Sequence, residues 1–181
     1  MGNASNMLVR DGGVRGVVVR LGRGFAGTLI DGDIVTAGAG AADLSVARAA
    51  RDAGLSGLEF LAGIPGTIGG AVFMNAGAYD REVTDVFVDC RTVGRAGDVQ
   101  THGPDAMAFS YRRSALDGGR IVTSARLRGV PGDAEAITAR MAEIQQAREA
   151  SQPVRTPTGG STFKNPSGAR AWELIDAAGC R

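Results

Sequence analysis

Residues 60–79 contain no charged side chain, and a stretch of 20 uncharged residues limits what the chain can fold into. Its length equals that of a membrane-spanning helix, which needs about 20 apolar residues. Its content does not fit such a helix, because Pro65 and five glycines interrupt it and because Thr67 and Asn75 are polar. The sequence therefore predicts a glycine-rich turn region inside a folded domain, without membrane insertion.

The glycine content of the whole chain further limits the classes of fold that are possible. Glycine accounts for 28 of 181 residues, about twice the usual share, while aromatic residues make up only 5%. The glycines follow no three-residue period, which excludes a collagen-like chain. This content is typical of a cradle in which the backbone approaches a cofactor closely, and equally of a turn-rich β protein, so both interpretations stay open.

Charge and cysteine content exclude several classes of function. Lys and Arg number 20 and Asp and Glu 19, so the basic excess of a nucleic-acid-binding domain is absent. Cys90 and Cys180 lack the C-x-x-C spacing, and together with His102, which we expect to be solvated in a turn, they cannot build an ordinary zinc site. We therefore expect no metal, and two free thiols rather than one disulfide. Residues 1–6 have no signal-peptide pattern, which favours a cytoplasmic protein.

Hydrophobic periodicity and turn residues predict a mixture of strands and helices. The expected strands are residues 7–9, 17–21, 33–37, 86–90 and 121–127, and the expected helices are residues 44–53, 133–150 and 171–178. Asp43 should cap the first helix, and Ile137, Met141 and Ile144 should share one buried stripe of the second. Mixed strands with few helices favour an α+β fold over a doubly wound α/β sheet.

Three small, polar or glycine-rich segments are candidates for a binding site. Residues 63–71 (GIPGTIGGA) could turn successive backbone N–H groups toward one anion. Their spacing matches neither the P-loop nor the dinucleotide fingerprint, so a bound phosphate and a structural turn both stay open. Residues 2–6 (GNASN) form a similar loop. In residues 75–79 (NAGAY), the amide of Asn75 either reads the edge of a base or flavin ring or occupies a left-handed turn.

Two further segments carry charged side chains. Residues 109–114 (FSYRRS) place two guanidinium groups beside hydroxyls, which suits a bound carboxylate or, equally, a solvated strand end. Residues 159–166 (GGSTFKNP) contain Ser161 and Lys164 in the S-x-x-K spacing of penicillin-binding serine enzymes. The S-D-N and K-T-G motifs that those enzymes need are missing from the sequence. A serine acylase is therefore rejected, and Ser161 stays a candidate proton donor.

Taken in chain order, these motifs resemble the UDP-N-acetylenolpyruvoylglucosamine reductase family, in its compact class without an inserted tyrosine-bearing loop. The matching segments are residues 2–13, 57–79, 109–114, 159–166 and 171–179. The resemblance implies an α+β fold, with an FAD-binding domain of the vanillyl-alcohol-oxidase type followed by a substrate-binding domain. It implies that residues 1–22 belong to a first FAD-binding subdomain, 23–151 form a second, and 152–181 begin the substrate-binding domain.

The resemblance also implies which residues act. The cofactor-binding positions would be Gly2, Asn3, Ala4, Ser5, Asn6, Ile64, Pro65, Gly66, Gly69, Gly70, Asn75, Ala76 and Gly77. Arg112 would be an active-site arginine and Ser161 the proton donor, while Tyr111, Lys164 and Asn165 would contact the substrate. The implied reaction is the reduction of UDP-N-acetylglucosamine enolpyruvate to UDP-N-acetylmuramate for peptidoglycan synthesis, with bound FAD and with NADPH as hydride donor.

The family's initial strand–helix–strand has no counterpart in these residues, nor has its C-terminal part, which carries an acidic catalytic residue. We therefore expect the 181 residues to be an incomplete fragment without activity of their own. Two alternatives stay open at this point. One is an FAD-linked oxidase of the same fold that acts on another substrate, and the other is a flavin-binding fragment without catalysis.

Overall fold

The computed structural model describes residues 1–116, 119–152 and 163–180, which form an α+β fold. The strands are β1 (Thr28–Asp31), β2 (Ile34–Gly38), β3 (Leu55–Ser56), β4 (Gly77–Ala78), β5 (Arg81–Glu82), β6 (Phe87–Val93), β7 (Val99–His102), β8 (Ile121–Arg128) and β9 (Val130–Pro131). The helices are α1 (Asp43–Asp52), α2 (Ile68–Phe73), α3 (Pro104–Met107), α4 (Ala134–Ser151) and α5 (Ala171–Ala177), with 3-10 turns at Arg23–Phe25, Glu59–Gly63 and Val83–Asp85.

A five-stranded antiparallel sheet of order β1-β2-β8-β6-β7 forms the centre of the fold. Successive side chains of a strand point to opposite faces, so every second residue reaches the core. On β2 these residues are Val35 and Ala37, which pair with Leu127 and Ala125 of β8. All four side chains are buried, and they give the helices an apolar face to cover. Two short ladders, β3-β9 and β4-β5, lie outside this sheet.

Two amphipathic helices supply much of the remaining core. Helix α1 buries Val46, Ala47 and Ala50, which the spacing of three and four residues brings to one side. Helix α4 begins after Asp133, whose carboxylate accepts a hydrogen bond from the N–H of Ala136 at 2.8 Å. It buries the predicted stripe of Ile137, Met141 and Ile144. Both helices pack against the 3-10 turn Glu59–Gly63, and this contact positions the residues that follow it.

Most of the strongly periodic elements are confirmed to within two residues. The predicted strands at 33–37 and 121–127 correspond to β2 and β8. The predicted helices at 44–53, 133–150 and 171–178 correspond to α1, α4 and α5. The predicted strand at 86–90 begins one residue later, as β6. A register shift between Phe87 and Asp89 breaks the simple alternation that predicted it.

The strands predicted at 7–9 and 17–21 are wrong. Both segments are rich in apolar residues, yet Leu8 is 87% exposed and Val17 is 91% exposed. A strand requires a neighbour to receive its backbone hydrogen bonds, and in the described residues no strand pairs with either segment. The terminal amino group of Met1 donates to the carbonyl of Val19 at 2.7 Å, but this contact extends into no ladder.

Two predictions about single residues are also wrong. Asp43 does not cap α1, because Ala42 occupies the cap position and Asp43 is the first helical residue, fully buried. His102 does not lie in a solvated turn, because it ends β7 and is half-buried. Its Nε2 lies 2.8 Å from the hydroxyl oxygen of Thr92.

Residues 60–79 form part of a 3-10 turn, helix α2 and strand β4. Across the described ranges, no helix is long and apolar enough to cross a membrane. Cys90 is buried and Cys180 is exposed, and both are free thiols.

Substitution of Leu58 tests whether the contact between the helices and the 3-10 turn holds the fold together. Leu58 precedes this turn and is fully buried. Leu58→Ala should lower the free energy of unfolding by about 2–5 kcal/mol, because the lost contacts leave a cavity. Urea denaturation followed by circular dichroism measures the change. The matched control is Leu29→Ala on β1, since Leu29 is 68% exposed and should cost about 0.5 kcal/mol or less. Equal losses in the two variants would contradict this account of the core.

Candidate functional site

A cavity of about 710 Å³ opens between the N-terminal loop (residues 2–6) and the glycine segment (residues 63–71). Residues 39–40 after β2, residues 76–78 and Arg112 complete much of its wall. Its volume lies within the range of small-molecule binding sites. The two segments are far apart in sequence, so tertiary structure alone brings them together.

Backbone hydrogen bonds fix the glycine segment against the end of β2. The N–H of Ile68 donates to the carbonyl of Ala41 at 3.0 Å, and the N–H of Gly69 donates to that of Ala39 at 2.9 Å. These two N–H groups are therefore occupied. Among the described residues, the N–H groups of Thr67 and Gly70 have no protein partner, and both residues line the cavity. These two N–H groups are available to an anion.

Three glycines of this segment differ in what a side chain at their position would meet. A Cβ at Gly69 would lie 2.9 Å from the Cβ of Ala39, so this glycine permits close packing on β2. A Cβ at Gly66 would lie 2.7 Å from Oδ2 of Asp43. A Cβ at Gly70 would meet nothing within 4 Å. Of the three, Gly70 alone leaves open space beside its backbone, so it is the position where a side chain would compete with a ligand.

The N-terminal loop forms the facing wall. All five residues of the loop line the cavity, as do Ile64, Pro65, Gly66, Gly69, Gly70, Ala76 and Gly77. The side-chain amide of Asn3 donates to the carbonyl of Gly66 at 3.2 Å, and Gly2 packs against Thr67. These contacts tie the loop to the glycine segment and set the width of the cavity.

Asn75 differs from its predicted neighbours, because its side chain is committed to the protein. It is buried, has a φ of 43°, and does not line the cavity. Its amide donates to Glu82 at 2.8 Å and to the carbonyl of Ser110 at 3.2 Å, and its oxygen accepts from the N–H of Thr84 at 3.0 Å. The left-handed-turn interpretation fits these contacts, and the amide is not available to read a ring edge.

A tight turn presents Arg112 to the cavity. Ser110 and Arg113 exchange two backbone hydrogen bonds of 3.0 Å, and Arg112 between them has a φ of 56°. Its guanidinium donates to the carbonyl of Gly77 at 2.8 Å and lies 5.4 Å from the ring centre of Tyr111. Arg112 lines the cavity, whereas Arg113 is exposed and does not. The structure thus places only the first of these two adjacent arginines at the cavity.

The predicted substrate residues are not brought to this cavity. Tyr111 is 46% exposed, and neither it nor Lys164 nor Asn165 lines the wall. The side-chain oxygen of Asn165 accepts a hydrogen bond from the N–H of Ala171 at 3.0 Å, at the start of α5. Ser161 lies outside the described residues.

Asp43 is the cavity residue that sequence reasoning placed wrongly. It is fully buried behind the wall, and its carboxyl lies against the backbone of Gly66. Burial raises the pKa of this carboxyl to about 7, against a smaller lowering by the backbone of Gly66. An aspartate at a helix start is ordinarily a cap, and no signal in the sequence separated this case from the ordinary one.

Among the residues described, no group of three or more His, Cys, Asp or Glu side chains is placed to hold a metal ion. Two further arginines, Arg20 and Arg120, line the cavity. Arg120 also donates to the hydroxyl of Thr92 and forms an ion pair with Asp98, both at 2.8 Å. The wall is therefore polar and cationic in places, which suits an anionic organic ligand.

Comparison with known families shows the class of protein to which the chain belongs. Residues 1–103 match the family described as "FAD binding domain", and the chain belongs to that family. Residues 152–181 match the family described as "UDP-N-acetylenolpyruvoylglucosamine reductase, C-terminal domain". The resemblance to these reductases seen in the sequence motifs is confirmed.

Individual relatives agree with this assignment. The chain is 60% identical over its whole length to the UDP-N-acetylenolpyruvoylglucosamine reductase of Paramagnetospirillum magneticum and covers 59% of that protein. It is 58% identical to the enzyme of the same name from Erythrobacter litoralis and covers 56% of it. The crystal structure of UDP-N-acetylenolpyruvylglucosamine reductase from Thermus caldophilus superposes with a TM-score of 0.85 at 40% identity, over 99% of this chain and 65% of that one.

The adjacent glycines Gly69 and Gly70 provide a matched test of the site. Gly70→Val should leave the fold intact and weaken FAD binding at least tenfold, because its side chain enters the cavity. Gly69→Val should instead destabilise the fold by about 1–3 kcal/mol, because its side chain collides with Ala39. Flavin fluorescence titration measures binding and urea denaturation measures stability. Unchanged FAD affinity in folded Gly70→Val would contradict the placement.

Proposed function

We propose that the cavity between the N-terminal loop and the glycine segment holds FAD. The observation that carries this proposal is the wall itself, where the N–H groups of Thr67 and Gly70 have no partner among the described residues and where open space lies beside the backbone of Gly70. Such a surface fits an anion that approaches the backbone closely, as a pyrophosphate does. Membership of the FAD-binding family supports the same cofactor.

We further propose that the protein containing this chain reduces UDP-N-acetylglucosamine enolpyruvate to UDP-N-acetylmuramate, with NADPH as the reductant. The chain spans about 59% of the length of the first relative, so the activity is proposed for the whole protein. The reaction serves peptidoglycan precursor synthesis. We accordingly propose a cytoplasmic location and a contribution to cell shape and cell division.

When bound, FAD supplies the hydride chemistry, by taking a hydride from NADPH and passing it to the substrate. The chain's own residues hold and orient the reactants. The N–H groups of Thr67 and Gly70 bind the cofactor's negative charge. Arg112, fixed to the carbonyl of Gly77, presents its guanidinium at the cavity wall, where it can hold the substrate carboxylate.

Reduction of the enolpyruvyl group adds a hydride to one carbon of its double bond and a proton to the other. Negative charge develops on the carboxylate during this addition, and a fixed cation beside it lowers the barrier. This is the step in which we place Arg112. Ser161 is proposed as the proton donor, with Tyr111, Lys164 and Asn165 as substrate contacts, on the strength of the motif resemblance alone.

Stopped-flow absorbance of the flavin tests this function in a chain extended to the length of the relatives. NADPH should bleach the visible flavin band, and the enolpyruvyl UDP-sugar should restore it. Bleaching without restoration would contradict the enolpyruvyl UDP-sugar as the substrate. A protein that neither binds nor reduces FAD would contradict the whole proposal.

Arg112→Lys and Arg113→Lys form a matched pair for the role of the cavity arginine. Lysine keeps the charge but loses the planar fork that binds a carboxylate twice. In the extended chain, Arg112→Lys should slow flavin reoxidation by the substrate about 10²-fold while leaving reduction by NADPH unchanged. Arg113→Lys should change neither step, because Arg113 does not line the cavity. If only Arg113→Lys slowed the reaction, the carboxylate-binding role would belong to Arg113 and the assignment to Arg112 would be wrong.

A further inference from the structure

The side-chain amide of Asn75 joins three separate segments of the chain. Its nitrogen donates to Glu82 at 2.8 Å and to the carbonyl of Ser110 at 3.2 Å. Its oxygen accepts from the N–H of Thr84 at 3.0 Å. These partners fix the orientation of the amide, because a backbone N–H can only donate and a carbonyl can only accept. Asn75 is 1% exposed, so water does not replace any of these partners.

Two of the three segments carry Arg112 and the group that holds it. Ser110 begins the turn that contains Arg112, and two backbone hydrogen bonds of 3.0 Å close this turn. Glu82 pairs with Gly77 in the β4–β5 ladder, and the carbonyl of Gly77 accepts the hydrogen bond of the Arg112 guanidinium. Asn75 therefore contacts both the turn that carries Arg112 and the hairpin to which its guanidinium is bonded.

The turn holds Arg112 in a conformation that needs support. Arg112 has a φ of 56°, and a left-handed conformation of a residue other than glycine persists only where surrounding contacts outweigh its cost. The Asn75 amide supplies one such contact. The hydroxyl of Ser114 supplies another, because it donates to the carbonyl of Phe73 at 2.7 Å. Both contacts come from the end of α2, whose last residue is Phe73.

We propose that Asn75 is a positioning residue for the reduction of the substrate, and that its amide holds the turn so that Arg112 can bind the substrate carboxylate. This inference rests on the proposed function and adds the group that sets the geometry of Arg112. Asn75 does not line the cavity, so it acts through Arg112 rather than on a ligand. A twofold contact between guanidinium and carboxylate requires a fixed orientation, and a displacement of about 1 Å can slow a reaction about 10²-fold.

The competing interpretation is that Asn75 only permits its own φ of 43°, which glycine would permit equally. Asn75→Gly separates the two, because it keeps this backbone conformation and removes the amide. Asn75→Asp keeps the size and the oxygen that accepts from Thr84, but it cannot donate to both Glu82 and Ser110. The matched control is Asp80→Gly, since Asp80 is exposed in the β4–β5 turn and has a φ of 62°.

Hydrogen–deuterium exchange of the 181-residue chain measures whether the amide holds the turn. Asn75→Gly and Asn75→Asp should each speed exchange in residues 109–114 about tenfold or more, because the turn opens more often without this contact. Exchange in β1, at the edge of the main sheet, should stay unchanged, since its local opening leaves the turn intact. FAD affinity by fluorescence titration should stay within about threefold of wild type. Asp80→Gly should match wild type in each measurement.

Stopped-flow absorbance of the flavin in the extended chain measures whether the turn positions Arg112. In Asn75→Gly, reduction by NADPH should be unchanged, while reoxidation by the enolpyruvyl UDP-sugar should slow about tenfold or more. When Arg112→Lys is already present, Asn75→Gly should slow reoxidation by no more than about twofold further, because the effects of residues that act through one group do not add. Asp80→Gly should behave as wild type in both steps.

Several results overturn the proposal. Wild-type exchange in residues 109–114 of both Asn75 variants would show that the amide does not hold the turn. Equally faster exchange in β1, or failure of both variants to fold, would assign Asn75 a role in the whole fold. Normal reoxidation in Asn75→Gly, or full additional slowing on top of Arg112→Lys, would show that it does not act through Arg112.

All of these results leave the proposed function intact. A wild-type extended chain whose reduced flavin is not reoxidised by the enolpyruvyl UDP-sugar would instead refute the proposed function and this inference together.

Discussion

The anchoring of the glycine segment to the end of β2 is the constraint on which the rest of the site depends. Two backbone hydrogen bonds, from Ile68 to Ala41 and from Gly69 to Ala39, hold the segment against the sheet, and the lack of a side chain at Gly69 permits the close approach. This anchoring leaves the N–H groups of Thr67 and Gly70 unpaired beside the cavity. Part of the uncharged stretch at residues 60–79, whose length equals that of a membrane-spanning helix, thus forms one wall of the cavity.

The sequence predicted the parts of the fold whose signals are local. Helix α4 follows from its start at Asp133 and its apolar stripe, and the strand predicted at residues 121–127 corresponds to β8. The same signals failed at residues 7–9 and 17–21, because apolar β-branched residues specify a strand only when a neighbouring strand receives their hydrogen bonds. Strand pairing depends on the tertiary structure, and the residue pattern within one segment does not predict it.

In the candidate site, too, local motifs predicted some features correctly, while features that depend on tertiary contacts were missed. The glycine segment, the N-terminal loop and Arg112 were predicted from motifs, and the structure brings them to one cavity. For Asn75 the sequence left open an amide that reads a ring edge and a left-handed turn, and the φ of 43° fits the turn. For Asp43 residue type predicted a cap, and the structure places it as a buried first helical residue instead. Asn75 hydrogen-bonds three protein groups, while the Asp43 carboxyl is buried against the backbone of Gly66. Burial of this kind depends on contacts between distant segments, which single-residue preferences do not encode.

Hydrogen–deuterium exchange of the 181-residue chain, with and without FAD, tests the location of the cofactor most directly. The account predicts slower exchange on FAD binding in residues 2–6 and in the glycine segment, since these backbones form the cavity wall. Exchange in β7, which contributes no residue to the wall, should stay unchanged. Protection confined to regions outside the two loops, or no protection at saturating FAD, would contradict the account.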